Sequence, residues 1–146
     1  MSGPSRVEVL VEPGLYQVSS SISATRYFID SRLGGPVRYL RVPGAGSTPM
    51  RLDHGWRPLA LLVCLPPSRT ADAPAPAGEV DVHTSQQWVL AVGAEHVFHT
   101  PDPRVPPGWP GTYWVQSSPC REIRILETLP QVPRERLTTD HREQAP

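Results

Sequence analysis

The chain has 146 residues, an apolar content of 38%, and a formal net charge of zero, from 14 arginines against 14 acids. That balance gives no bulk attraction to nucleic acid or to an anionic membrane. The length suits one domain with a core of its own, and no run approaches the roughly 18 apolar residues of a membrane-spanning helix.

Period-two alternation dominates the first third. Val7, Val9 and Val11 alternate with Glu8 and Leu10, and Pro13-Gly14 marks a turn. Extended character resumes over 15–19 and gives way to the small, polar stretch 19–23. Tyr27 and Ile29 then alternate against Arg26, Phe28 and Asp30. Gly34-Gly35-Pro36 breaks the chain. Residues 37–42 place Val37, Tyr39 and Arg41 on one face and Arg38, Leu40 and Val42 on the other, up to Pro43-Gly44. Short β-rich runs between Gly/Pro turns predict an antiparallel meander.

Asp53-His54-Gly55 reads as a tight turn. The apolar run 59–65 fits a buried strand or two helical turns opened by Pro58. Its shortness and β context favour the strand. Residues 66–78 are a Pro/Ala-rich loop inside the domain. Residues 80–83 form a short candidate strand, and 87–92 with 95–99 read as a hairpin around Gly93-Ala94. Five prolines in 100–111 exclude a central strand there. Strands at 112–116 and 122–126 close the fold; in the latter Ile123 and Ile125 oppose Glu122 and Arg124. Residues 129–146 form a polar, flexible tail. The expectation is one all-β domain over 1–128, a meander closing into a small barrel or sandwich with long Pro-rich loops.

Lysine and asparagine are absent, while Pro numbers 19 and Gly 11. Lys and Asn are written by A/T-rich codons, so this bias reads as a very G+C-rich genome. Selection against amine modification is the other reading, and no further feature supports it. The segment Pro13-Gly14-Leu15-Tyr16-Gln17-Val18, residues 23–30, Arg41-Val42-Pro43-Gly44, and Ser117-Ser118-Pro119 followed by Ile123 resemble small, largely uncharacterised all-β proteins of actinobacteria and their phages. The resemblance implies a β meander and carries no functional residue across. The Pro-rich loop departs from it and is where a role specific to this chain would reside.

Chemistry is sparse. Residues 1–6 lack the apolar core of a secretion signal, so a cytoplasmic setting with Cys64 and Cys120 as free thiols is expected. Cys64 reads as a small buried hydrophobe; Cys120, beside Arg121, is the one thiol with a charged neighbour. There is no Gly-x-Ser-x-Gly elbow, phosphate loop or dinucleotide fingerprint, so neither an enzyme nor a cofactor is expected. His83, His96 and His99 flank adjacent candidate strands and are the only candidate metal set. His96 and His99, three apart, fall on opposite faces of a strand.

Arg26, Tyr27, Arg38, Tyr39 and Arg41 would form a single-stranded nucleic-acid platform if one sheet face presented them together. The competing arrangement packs the aromatics inward and leaves Arg to cover the outside. Trp109, between Pro107 and Pro110, reads as a loop-borne partner anchor or a cap on the core, with Tyr113 and Trp114 on the core side. A non-catalytic, self-associating interaction module or small subunit of a larger assembly is favoured. Its partner would be a protein or a second copy, not a membrane. Single-stranded nucleic-acid binding and a small metal-dependent enzyme are the alternatives.

Overall fold

Strands follow the alternation. The computed structural model describes residues 3–66, 85–106 and 111–131. Among these the chain forms β1 (Arg6–Glu8), β2 (Leu15–Ser20), β3 (Arg26–Asp30), β4 (Arg38–Val42), β5 (Arg57–Pro58), β6 (Leu61–Leu65), β7 (Gln86–Gln87), β8 (Val89–Ala91), β9 (Glu95–Pro101), β10 (Thr112–Gln116) and β11 (Cys120–Leu126). No helix occurs among the described residues, and so none is long and apolar enough to cross a membrane.

All pairings are antiparallel. One sheet has the order β11-β2-β3-β4-β5, a second β10-β9-β6-β7, and β1 pairs with β8. The meander is therefore real over β2 to β5, but no sheet closes into a barrel. The change of sheet explains why. Pro58 ends β5 without an N–H to offer. The Leu59 N–H then donates to the Val37 carbonyl (2.9 Å) in the first sheet, and the next N–H, of Ala60, donates to the His99 carbonyl (2.7 Å) in the second. The chain leaves one sheet and joins the other within two residues.

The two sheets face one another across a single large core. Tyr16, Val18, Tyr27, Ile29, Tyr39 and Ile123 come from the five-stranded sheet, and Leu62, Phe98 and Val115 from the four-stranded one. Val7 and Leu90, on β1 and β8, join the same cluster. The Phe98 ring stacks on both Tyr27 (4.9 Å between centroids) and Tyr39 (5.2 Å). A smaller cluster of Phe28, Leu40 and Val42 lies on the other face of the five-stranded sheet, beside Trp56 and Leu126.

The run 59–65 forms a strand, β6, as its shortness and context favour. Two other sequence expectations change. The hairpin expected around Gly93-Ala94 does not form, because β8 pairs with β1 and β9 with β6 and β10. Trp88 stands between β7 and β8 with φ 61°, a conformation unusual for a bulky residue. Its N–H donates to the Leu62 carbonyl (2.7 Å) and its carbonyl accepts from Val9 (3.0 Å), so the switch between sheets happens at this residue. The stretch 100–111 is also not wholly loop: Thr100 and Pro101 extend β9 against Tyr113 and Thr112. Pro101 is tolerated because β6 reaches only to His99, so its missing N–H removes no ladder bond on that side. The Pro/Ala-rich loop from 67, the candidate strand 80–83 and the tail from 132 lie outside the described residues.

Candidate functional site

β3 and β4 do pair, with Tyr27 opposite Arg41, Ile29 opposite Tyr39 and Asp30 opposite Arg38. The pairing divides the five arginine and aromatic candidates between two faces. Tyr27, Tyr39 and Arg41 point into the core at 4%, 2% and 6% exposure. Burial, first of all, pushes the Tyr39 hydroxyl up to about 12. Arg41 is held by both oxygens of Asp53 (2.9 and 2.7 Å), the Thr48 carbonyl (3.2 Å) and the Tyr27 hydroxyl (3.4 Å). Arg26 and Arg38 lie on the outer face. Arg38 bonds Asp30 (3.0 Å) and covers Trp56 at 4.5 Å. The Arg32 hydrogen bond is the largest influence on Asp30; with Arg38 it outweighs burial and holds that carboxyl down at about 2. No single face presents these five residues together, so a stacking platform built from them is not assembled.

His96 and His99 fall on opposite faces of β9, and His83 lies outside the described residues. The His96 ring is fully buried, and its Nε2 accepts from the Ala91 N–H at 3.1 Å. His99 is half-buried on the outer face, with Nδ1 3.3 Å from the Thr112 hydroxyl. Among the described residues no three His, Cys, Asp or Glu side chains cluster as a metal site. Both thiols are free and buried. Burial pushes Cys120 up to about 11 and Cys64 upward as well, so neither is a ready nucleophile. Pro107, Trp109 and Pro110 lie outside the described residues.

The surface best built for contact is the outer face of the four-stranded sheet. Its burial alternates along β6 and β9, leaving Leu61, Val63, Leu65 and Val97 half-buried on the outside. Register aligns Leu61, His99 and Trp114 in one row, and Val63, Val97 and Gln116 in the next. Trp114 was expected on the core side, yet it is 58% exposed. β10 places Val115 inward, which forces Trp114 outward.

The sheet edges differ in how they are protected. β5 and β7 are two residues each, and β5 ends in proline. β11 carries Arg121, Glu122 and Arg124, and Gly3 packs so close to its Ile123 carbonyl that a Cβ would collide. β10, Thr-Tyr-Trp-Val-Gln, has neither charge nor proline, and its free edge has no strand partner among the described residues. An uncharged edge beside an apolar face is what strand addition uses. The strand at 112–116 was readable in the sequence; its position at an edge was not. No family model matches the chain, and no curated protein or solved structure does either.

Proposed function

We propose that the chain is a non-catalytic interaction module that self-associates by joining the β10 edges of two copies. The observation that carries this reading is the contrast among edges: β10 alone is five residues long, uncharged and free of proline. Trp114 is its middle residue. An antiparallel, two-fold pairing would oppose Trp114 to its own copy and Thr112 to Gln116, so one strand serves as both halves of the contact. The two four-stranded sheets would then run together, and the Leu61–Trp114 rows would meet on one face. Buried thiols and the lack of a described catalytic constellation fit a binding role.

Sedimentation of the full chain over a wide concentration range should show a reversible monomer–dimer equilibrium. Trp114→Glu places a charge on the edge and should weaken the dimer at least tenfold, about 1.4 kcal/mol or more. Monomer Tm should barely change, since Trp114 is largely exposed. A wild-type chain that stays monomeric at every concentration would refute the proposal.

A further inference from the structure

The outer face of the five-stranded sheet carries a second surface of different chemistry. An open cleft of about 390 Å³ lies on the outer side of β2, β3 and β11. Gln17, Ser19 and Arg26 line it from the sheet, Ala24 and Gly44 from the turns, and Arg121, Glu122 and Arg124 from β11. Its arginines are gathered by an irregularity in β11. Cys120 pairs with Ser20 and Glu122 with Ser19, so the ladder shifts by one residue at Arg121. Cys120 and Ile123 are both buried, at 2% and 0% exposure. Residues three apart in an unbroken strand face opposite ways. The bulge lets both point inward and turns Arg121, Glu122 and Arg124 together onto the outer face. Bulges commonly re-aim side chains beside binding sites.

Among the described residues, most of the charge in this cleft is uncompensated. Arg32 and Arg38 are paired with Asp30, Arg51 and Arg104 with Asp102, Arg41 with Asp53, and Arg6 with Glu8. Among the described residues Arg26, Arg57 and Arg121 have no carboxylate within ion-pair distance, and two of these three line the cleft. The third arginine of the cleft, Arg124, reaches Glu122 only at 3.8 Å. Three guanidinium groups against one carboxylate leave a surplus of two positive charges, on a chain whose formal net charge is zero.

Neutral donors stand beside them in the Gln17 amide and Ser19 hydroxyl, which bond one another at 3.3 Å. One end is walled where Gly44 meets Ala24 so closely that a Cβ on residue 44 would sit 2.6 Å from its backbone. The Thr25 hydroxyl accepts from the Gly44 N–H (3.1 Å) and holds that wall in place.

We propose that this cleft binds a small ligand carrying two linked oxyanion groups, of which a diphosphate is the simplest. Guanidinium forks match tetrahedral oxyanions with paired hydrogen bonds, and a surplus of two charges matches two such groups. The Ala24–Gly44 wall and the neutral bulk charge favour a compact ligand over a long phosphodiester chain, which needs a continuous basic track.

Calorimetric titration of the full chain with inorganic pyrophosphate should give one site per chain. Orthophosphate should bind more weakly, and sodium chloride at equal ionic strength should give no saturable heat. The double variant Arg26→Gln/Arg121→Gln should weaken pyrophosphate binding at least tenfold. Arg6→Gln/Arg104→Gln, which removes the same charge elsewhere, should bind as the wild type does. If the first double variant folds poorly, Arg121→Gln alone, at an exposed bulge, should still weaken binding by several fold. The proposal is overturned by pyrophosphate heats no larger than those of chloride, by equal losses in the two double variants, or by a short oligonucleotide outcompeting pyrophosphate in a manner insensitive to Arg121.

Discussion

His96 shows at the scale of one residue how position overrides type. It lies on β9 among apolar neighbours, with Ser117 bonded to its backbone from both sides (2.9 and 2.8 Å). Its Nε2 accepts from Ala91, which leaves the ring proton on Nδ1, where no acceptor is in reach. Burial pushes the imidazole down from 6.5 to about 4. The unfolded chain therefore takes up a proton here before the folded one does. The stability tied to the neutral ring is complete above about pH 6.5 and is lost as pH falls toward 4, by about 3 kcal/mol over that window. His96→Gln keeps an acceptor for Ala91 and removes the titration. Urea midpoints measured from pH 4.5 to 8 should fall steeply for the wild type and far less for the variant; parallel slopes would show that His96 does not carry the acid sensitivity. The sequence marked His96 as a possible ligand because of its type. Its burial follows from facing inward with Phe98, while Val97 and His99 face out.

The 43–56 connection between β4 and β5 has no strand of its own, and one ion pair organises it. Asp53 holds Arg41, accepts from the Met50 N–H (2.7 Å), and sits just before His54, whose N–H returns to the Arg41 carbonyl (3.0 Å). The two charged side chains are 7% and 5% exposed. Removing one partner strands the other in the interior. Asp53→Ala should cost about 3–5 kcal/mol in chemical denaturation, and the double variant Arg41→Met/Asp53→Leu should cost less than the two single changes summed. A loss below about 1 kcal/mol for Asp53→Ala would mean the pair behaves as an exposed one. The tight turn at Asp53-His54-Gly55 was legible from its residue types. The pair was not, because Arg41 and Asp53 lie 12 apart in a stretch without periodicity. The absent 87–99 hairpin has a similar cause: Gly93-Ala94 supplies turn chemistry, while the partner that captures β8 is β1, far away in sequence.

At the scale of the whole molecule, Phe98 joins the two sheets. It projects from the four-stranded sheet and stacks on Tyr27 and Tyr39 of the other, nearly parallel at 13° and 5°. Truncation there removes contacts on both sides and leaves a cavity between layers. Phe98→Ala should destabilise by about 3–5 kcal/mol, and Phe98→Leu by markedly less. Because one core is shared by both sheets and by β1 and β8, wild-type unfolding followed by near-ultraviolet dichroism and by tryptophan fluorescence should coincide in a single transition. Two separated transitions would show that the sheets are independently stable. Of the barrel or sandwich expected from the meander, the barrel does not form, since both sheets retain open edges.

The sequence by itself determined the all-β class, the place of most strands and, through alternation, which residues of a strand share a face. These are local properties: the two-residue period of a strand and the backbone preferences of Gly and Pro act within a few residues. Tertiary structure alone decided which strands became neighbours, and with that everything that makes a surface. It put β10 at an edge and so exposed Trp114. It set the register of β3 on β4, which brings Tyr27 opposite Arg41 and Asp30 opposite Arg38. It inserted the bulge that gathers Arg121 and Arg124 with Arg26, drawn from strands nearly a hundred residues apart. Pairing and register are set by contacts distant along the chain, and a bulge exists only relative to a partner strand.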